Sequence, residues 1–262
     1  MANDFTHRTL PVVNKPVHRL GLACNYGIDE KGFAAGLERG LNHIYWSRTR
    51  TGHLRPTLKA ALGKDRERYV LTCATSLGYF GFNVRAAAER FLKALGTDYL
   101  DVLILSWLGV TAAYSAGVIE ALTKLKAAGK VRAIGTSIHD RPRAGRLAED
   151  SIFDLFMLRY NAAHPGAERE VFPHLGKRKP AVVAYTATSW RRLLKKPRAW
   201  DGAPMTAGDC YRFCLSNPHV DVVLTAPASE AQLNENLAAL EKGPLSAEED
   251  AWMRRFGQVV HG

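Results

Sequence analysis

The amino-acid sequence predicts an α/β protein that folds as a (β/α)8 TIM barrel, in which eight parallel strands enclose a core and alternate with helices. Three observations predict this fold class. The chain has 262 residues, 47% of them hydrophobic, which suits one large core of the size usual for such barrels. Short apolar runs recur along the chain, and stretches with helical periodicity separate them. Such alternation favours parallel strands joined by right-handed crossovers.

Each predicted strand is a short apolar run of the kind that is buried on both faces of a parallel sheet. The eight runs cover residues 19–23, 42–45, 69–73, 102–106, 131–137, 155–159, 181–186 and 220–225. The stretches with helical periodicity cover residues 30–39, 54–62, 84–95, 116–128, 143–148, 168–175, 207–215 and 230–240. Because these elements fill the chain, we expect residues 1–262 to form a single domain.

Capping signals mark several helix ends. Asn83 is expected to cap the third helix, and Ser229 with Gln232 has the pattern of a capping box before the eighth. Gly96 and Gly129 stand where the third and fourth helices should end, because glycine readily adopts the left-handed conformation of a helix terminus.

Two segments lie outside the eight strand–helix units. Ser246 and Glu249 form a further capping-box pattern, which predicts an extra C-terminal helix over residues 246–259. The N-terminal segment contains Pro11 and Pro16 and is too short for a strand–helix unit. We expect it to form an N-terminal hairpin that closes the bottom of the barrel.

The cysteine content and the hydropathy pattern favour the cytoplasm. Cys24, Cys73, Cys210 and Cys214 lack the density and spacing of a secreted disulfide framework, so they are interpreted as reduced thiols. The N-terminus has no apolar signal core, and no apolar run approaches the roughly 20 residues that span a bilayer. We therefore expect a cytoplasmic protein with no membrane partner.

The formal net charge of +11 calls for an anionic partner or a solvated basic surface. Five cations, Arg191, Arg192, Lys195, Lys196 and Arg198, fall within one short run. This run is either a phosphate-binding loop or a solvated basic loop. Nucleic acid is not expected, since neither an aromatic stacking pattern nor a recognition-helix motif accompanies the charge. The histidines have no metal-ligand spacing, so no metal is expected.

Five segments, in chain order and each attached to a predicted strand, resemble the signatures of aldo-keto reductases. They are residues 40–47 (GLNHIYWS), 95–105 (LGTDYLDVLIL), 129–137 (GKVRAIGTS), 159–161 with 167–168 (RYN and AE), and 232–236 (QLNEN). The resemblance implies an NAD(P)H-dependent oxidoreductase that transfers hydride to the carbonyl group of a small-molecule substrate. In that family a Tyr donates the proton, and a Lys, an Asp and a His tune it.

None of these four catalytic residue types stands at its matching position. The Asp position falls at Tyr45, the Tyr position at Arg50, the Lys position at Ala74 and the His position at Ser106. One interpretation is a barrel that no longer reduces ketones. Another is relocation, in which Tyr45 places its phenol near the nicotinamide and Arg50 supplies the missing cation. Tyr45 could equally fill the volume that Ala74 leaves. Separately, Ser106 and Trp107 could orient a substrate, although Trp107 could equally be a pocket wall.

More of the positions that bind the cofactor in the family carry the family's residue type than of the catalytic positions. By resemblance, Ser137 would bind the carboxamide, Tyr185 would stack on the nicotinamide, and Glu235 and Asn236 would contact adenine. The amide side chains with which the family holds the carboxamide are replaced by Ile138 and Met157. The Arg that the family often uses for a 2′-phosphate is also missing, so NADP and NAD both remain open as the cofactor. Further residues expected to contact the cofactor are Thr186, Arg191, Arg192 and Ser229.

Three functions therefore compete. The first is a divergent NAD(P)H-dependent oxidoreductase with poor activity on simple aldehydes, and we adopt it. The second is a nucleotide-binding or regulatory pseudoenzyme on the same barrel. The third is a barrel recruited to a reaction that needs no cofactor, such as an isomerisation.

Overall fold

The computed structural model describes residues 4–261 and confirms a closed barrel of eight parallel strands, preceded by a two-stranded antiparallel hairpin. The strands are β1 (His7–Leu10), β2 (Lys15–His18), β3 (Leu20–Ala23), β4 (His43–Trp46), β5 (Val70–Ala74), β6 (Leu100–Leu105), β7 (Val131–Ser137), β8 (Leu155–Arg159), β9 (Ala181–Tyr185) and β10 (Val222–Thr225). Each barrel strand pairs with the next one along the chain, and β10 closes the barrel onto β3.

The helices of the described residues surround this barrel. They are α1 (Glu30–Glu38), α2 (Arg55–Lys64), α3 (Gly81–Leu95), α4 (Ala116–Ala127), α5 (Arg141–Glu149), α6 (Ala167–Glu170), α7 (Ala207–Ser216), α8 (Glu230–Leu240) and α9 (Ala247–His261). Short 3₁₀ segments, Gly52–Leu54 and Phe172–His174, adjoin α2 and α6. The extra helix α9 begins with the predicted capping box. The backbone N–H of Ser246 donates to the Glu249 carboxylate at 2.8 Å, and the N–H of Glu249 donates to Ser246 Oγ at 3.2 Å.

Two local predictions were wrong. Asn83 does not cap α3, because the helix begins at Gly81 and Phe80 holds the cap position. A Cβ on Gly81 would lie 2.3 Å from the Gly117 carbonyl oxygen, so this close approach to α4 requires a glycine where the helix starts. The predicted helix over residues 168–175 is broken at Val171, and Pro173 accounts for the break because it has no N–H to donate to the carbonyl of Arg169 one turn earlier and its ring would clash with that carbonyl.

The N-terminal hairpin closes the amino-terminal end of the barrel, which confirms the prediction. Leu10 and Val17 are fully buried and pack with Val70, Val102 and other side chains that fill the barrel interior. The burial of these apolar side chains against the lower layer of the barrel holds the hairpin in place.

The cysteines of the described residues are all free thiols, and all four are buried. Cys210 and Cys214 lie on α7, within the stretch 207–215 for which the sequence predicts a helix. None of the helices within residues 4–261 has the length and apolar character that a membrane crossing requires. In the same part of the chain, no three His, Cys, Asp or Glu side chains are grouped closely enough to hold a metal ion.

Candidate active site

The carboxyl ends of the barrel strands form the mouth of the barrel, where the chemistry of this fold class takes place. The register places Tyr45 of β4 opposite Thr72 of β5, so Tyr45 lies in the upper interior of the barrel. Ala74, at the end of β5, and Tyr185, at the end of β9, pack in the same cluster. The structure therefore brings two of the predicted site residues, Tyr45 and Tyr185, to one end of the barrel.

Tyr45 is the most deeply placed phenol of the mouth. Its side chain is 9% exposed, and burial is the main reason why its pKa is raised, with smaller contributions from Tyr26 and Tyr185. Its hydroxyl forms no hydrogen bond with any residue of the described chain. Arg50 is exposed in the loop after β4, with a φ of 61°, and it is absent from the groups that act on the Tyr45 pKa.

Two buried polar atoms at strand ends lack a partner among residues 4–261. They are Ser106 Oγ, just after β6, and Asn25 Oδ1, just after β3. The backbone of Ser106 is held firmly, since its N–H donates to Thr75 Oγ1 at 3.2 Å and its carbonyl accepts from Thr111 Oγ1 at 2.9 Å. Buried polar atoms are nearly always hydrogen-bonded, so these two are available to a ligand.

Tyr185 is oriented by a histidine. The Tyr185 hydroxyl and His139 Nε2 form a hydrogen bond of 3.1 Å, and the His139 ring also packs edge-on against Trp107. Burial raises the pKa of Tyr185 to about 12, and the nearby Arg159 opposes that rise. Burial, with Arg159 second, lowers the pKa of His139, which favours the neutral imidazole. The result is a fixed row of aromatic rings along one side of the mouth.

Ser137, the predicted carboxamide-binding residue, is half-buried at the end of β7. Its Oγ accepts a hydrogen bond of 2.7 Å from the backbone N–H of Trp107, and its carbonyl accepts one of 2.8 Å from Leu108. Ser137 therefore holds the loop after β6 in place. The hydrogen of its hydroxyl remains free to be donated.

The loop after β9 has an unusual backbone. Thr186, Ser189, Trp190 and Arg191 all have a positive φ, a conformation that L-residues other than glycine seldom adopt. The buried Asn161 supports the start of this loop, because its amide nitrogen donates to the Thr186 carbonyl at 2.8 Å. Strained loops of this kind are commonly found at ligand sites.

The basic run continues from this loop, and its five side chains are exposed. Arg192 donates to the carbonyl of Val260 on α9, so this cation helps to anchor the C-terminal helix. Arg191 forms no side-chain hydrogen bond or ion pair with another described residue, which leaves it available to an anion. Arg191 and Arg192, which the sequence assigns to the same cofactor contact, therefore have different surroundings in the structure.

The start of α8 carries the remaining predicted cofactor residues. Ser229 Oγ accepts from the Gln232 N–H at 3.3 Å, which is one half of the predicted capping box. The Gln232 side chain accepts from the N–H of Ala228 and not from that of Ser229, so the other half does not form. Glu235 is exposed. Asn236 is 4% exposed, and its amide nitrogen donates to Thr225 Oγ1 at 3.3 Å. The amide of Asn236 therefore faces the protein core.

Comparison with known proteins assigns the family. The sequence model of the aldo/keto reductase family matches residues 61–199, more than half of the chain. The chain belongs to the aldo/keto reductase family. A curated protein of Escherichia coli (strain K12), an NADH-specific methylglyoxal reductase, is 27% identical over 93 residues, which cover 35% of this chain and 28% of that relative. The chain thus aligns with little more than a quarter of the relative's length.

Solved structures of aldo-keto reductases share the whole fold of this family member. The holo form of the enzyme AKR11C1 from Bacillus halodurans has a TM-score of 0.81 and 21% identity, with 96% of each chain covered. A Klebsiella pneumoniae aldo/keto reductase in complex with NADP and acetate has a TM-score of 0.75 and 23% identity, with 94% of this chain and 93% of that chain covered. At this identity the likeness concerns the fold.

Sequence reasoning missed two residues of the mouth of this aldo/keto reductase. His139 was set aside because it has no metal-ligand partner, yet it bonds Tyr185 from the adjoining strand end. Tyr26, in the loop after β3, is 63% exposed and is close enough to affect the pKa values of both Tyr45 and Tyr185. The signal for His139 was its position two residues beyond Ser137. Tyr26 had no comparable signal.

Proposed function

We propose that this aldo/keto reductase is an NAD(P)H-dependent oxidoreductase in which Tyr45 replaces the family's proton donor. The observation that carries the proposal is the difference between the two interior phenols of the mouth. Tyr185 is held by His139, as a stacking surface for a nicotinamide requires, whereas the hydroxyl of Tyr45 has no partner in residues 4–261. Family membership and the NADP complex of the Klebsiella relative support the cofactor class.

The residues at the mouth fit a nicotinamide nucleotide in part. The hydroxyl of Ser137 and the orphaned Ser106 Oγ offer hydrogen bonds, and Tyr185 offers a flat face. A bound reduced nicotinamide supplies a hydride to a carbonyl carbon. The contribution of the chain is then to orient the carbonyl and to donate a proton to its oxygen, and a neutral Tyr45 phenol carries that proton at Oη.

The same environment makes Tyr45 a weak acid. Burial raises its pKa, and no cation is among the groups that act on it, whereas the family pattern places a Lys beside the donor. General-acid catalysis typically contributes about 10²- to 10⁴-fold to a rate. We therefore expect slow reduction of simple aldehydes such as p-nitrobenzaldehyde, and a preferred substrate whose carbonyl needs little protonation.

A nucleotide-binding protein without turnover is the second candidate, and the absence of a cation from the groups that act on Tyr45 favours it. Titration of the full chain with NADPH and NADH, followed by tryptophan fluorescence, tests for binding. A carbonyl-substrate panel assayed by nicotinamide absorbance then tests for turnover. Binding with turnover supports the oxidoreductase, binding without turnover supports the second candidate, and no binding refutes both.

A further inference from the structure

A basic groove lies between α2 and α3, on the outside of the barrel. It consists of a cavity of about 290 Å³, which reaches Ser47 and Ser76 in the loops after β4 and β5, and an adjoining cavity of about 640 Å³. The two cavities share Arg55, Arg90 and Ala94, so they form one continuous depression, called here the α2–α3 groove. Its cationic lining residues are Arg48, Arg55, Lys59, Arg90 and Lys93.

These cations are exposed, and none of the five forms an ion pair or a side-chain hydrogen bond with another residue of the described chain. Several cations elsewhere in the described chain do have carboxylate partners. Arg66 binds Asp101 at 2.7 Å, Arg212 binds Glu249 at 2.6 Å, and Arg254 binds Glu168 at 3.0 Å. A concave surface that gathers several cations without carboxylate partners has a positive potential, which attracts an anion.

The start of α2 adds to the positive potential of the groove. The 3₁₀ segment Gly52–Leu54 leads into α2, and neither segment has an acidic residue in its first turn or a side chain that caps its N–H groups. Gly52 lines the inner cavity, so the positive end of the α2 dipole faces the same space as Arg48 and Arg55. The Arg55 N–H donates to the Gly52 carbonyl and Pro56 has no N–H, so the helix contributes its dipole and not free N–H donors.

We propose that the α2–α3 groove binds a small molecule that carries two or more phosphate groups. Arg48, Arg55 and Arg90 face the inner cavity, and Lys59 and Lys93 extend the charge into the outer one, so the groove can neutralise more than one phosphate. Its aromatic lining residues, Trp46 and Phe91, are only 4% and 7% exposed. They offer no platform for stacked bases, which favours a small ligand over a nucleic-acid strand.

The groove is separate from the proposed cofactor site. It adjoins β4 and β5, whereas Tyr185 and Arg191 follow from β9, on the opposite side of the barrel. The loop that supplies Ser47, Arg48 and Thr51 to the cavity also carries Arg50. The proposed ligand therefore contacts a segment that leads into the barrel mouth, and its binding does not depend on the proposed function.

Isothermal titration calorimetry of the full chain with sodium tripolyphosphate and with inorganic phosphate tests the proposal. Tripolyphosphate should bind at least about tenfold more tightly than phosphate, a difference of about 1.4 kcal/mol. The double variant Arg55→Ala with Arg90→Ala should weaken tripolyphosphate binding by at least about tenfold. Both side chains are exposed and unbonded, and thermal unfolding of the variant checks that the fold is kept.

The matched control removes two exposed cations outside the groove, Lys64→Ala with Arg146→Ala, and should change the dissociation constant by less than about twofold. Arg191→Ala, at the proposed cofactor site, should also leave binding in place. If the control variant lost as much affinity for tripolyphosphate as the groove variant, binding would depend only on the net charge of the protein, and the proposal would be overturned. Loss of binding in Arg191→Ala would also overturn it, as would tighter binding of a DNA duplex of about 20 base pairs than of tripolyphosphate at equal salt.

Discussion

The chemistry of each tyrosine in this protein depends on its neighbours. Tyr99, near the bottom of the barrel, has the guanidinium groups of Arg66 and Arg132 at 3.9 and 3.8 Å from its ring centre. Tyr45, at the mouth, has no cation among the groups that act on its pKa. Burial and the Glu67 hydrogen bond still raise the pKa of Tyr99, and its two cations oppose that rise, whereas no cation opposes the effect of burial on the pKa of Tyr45.

Replacement of Tyr45 by Phe tests its role as proton donor. If Tyr45 donates the proton, Tyr45→Phe should lower kcat measurably but by no more than about 10²-fold, because this donor is a weak acid, and should change KM by less than about twofold. The comparison is Tyr185→Phe, which keeps the aromatic face and loses the bond to His139; it should weaken cofactor binding more than it lowers kcat. Unchanged kcat in Tyr45→Phe would exclude this donor.

Two buried histidines should make the fold sensitive to acid. Burial is the main reason why the pKa values of His18 and His43 fall from 6.5 to about 4. Below about pH 6.5 the unfolded chain takes up protons that the folded chain refuses, so stability should be full above that pH and decline towards pH 4. At 1.36 kcal/mol per pKa unit, each histidine should lower the free energy of unfolding by on the order of 3 kcal/mol when the pH falls from 7 to 4.

Urea unfolding between pH 7 and pH 4.5 measures this decline. His43→Gln removes one titrating group, so its free energy of unfolding should depend less on pH than that of the wild type, even if its stability at pH 7 is lower. His219→Gln, at an exposed position, is the control and should keep the wild-type slope. An unaltered slope in His43→Gln would contradict the assignment.

At the scale of elements, the hairpin β1–β2 is fixed to the barrel by charge as well as by apolar packing. Lys15 of β2 is 7% exposed, and its Nζ lies 2.9 Å from Asp101 Oδ1 of β6, a carboxylate that is fully buried. The same ammonium donates to the Tyr69 carbonyl at 3.0 Å. The hairpin therefore brings a third cation to a carboxylate that Arg66 contacts at Oδ2 and that Arg132 approaches at 3.7 Å on Oδ1.

Lys15→Ala should destabilise the protein by about 1.5–3 kcal/mol, because it removes one charged partner from a buried carboxylate that Arg66 and Arg132 still face. Lys124→Ala removes a surface ion pair with Glu120 and should change the free energy of unfolding far less than Lys15→Ala does. Denaturant unfolding monitored by tryptophan fluorescence compares the two variants. A loss as small as that of Lys124→Ala would show that apolar packing alone holds the hairpin.

At the scale of the whole molecule, the net charge of +11 is unevenly distributed. Carboxylates pair with cations at the barrel bottom and around the helices, as Asp101 and Asp221 do. Five cations without a carboxylate partner among residues 4–261 line the α2–α3 groove, and five more stand in the run that begins at Arg191. That residues 1–262 form a single domain stays a prediction.

Salt should separate the two kinds of cofactor contact. Arg191→Ala should weaken NADPH binding at low salt, and the loss should shrink as salt rises, because exposed charges are screened beyond roughly 8 Å at physiological ionic strength. Tyr185→Ala removes a stacking surface, so its effect should be nearly independent of salt. Fluorescence titrations at low and high salt measure both. Salt-independent loss in Arg191→Ala would argue against a phosphate contact.

The sequence by itself determined the barrel, the hairpin and the C-terminal helix. Apolar periodicity and capping depend on residues that are close in the chain, so the runs at 131–137 and 155–159 and the box at Ser246 match the structure closely. The start of α3 was missed because the close approach of Gly81 to Gly117 joins two separate helices. Such contacts leave no local signal.

Only the tertiary structure decided which candidate residues share a site. It joined Tyr185 to His139, turned the amide of Asn236 towards Thr225, and tied Arg192 to the C-terminal helix. It also brought together the cations of the α2–α3 groove, which come from a loop and two helices. The physical reason is that hydrogen bonds and electrostatic potentials depend on distances in space, which a linear pattern fixes only within one element.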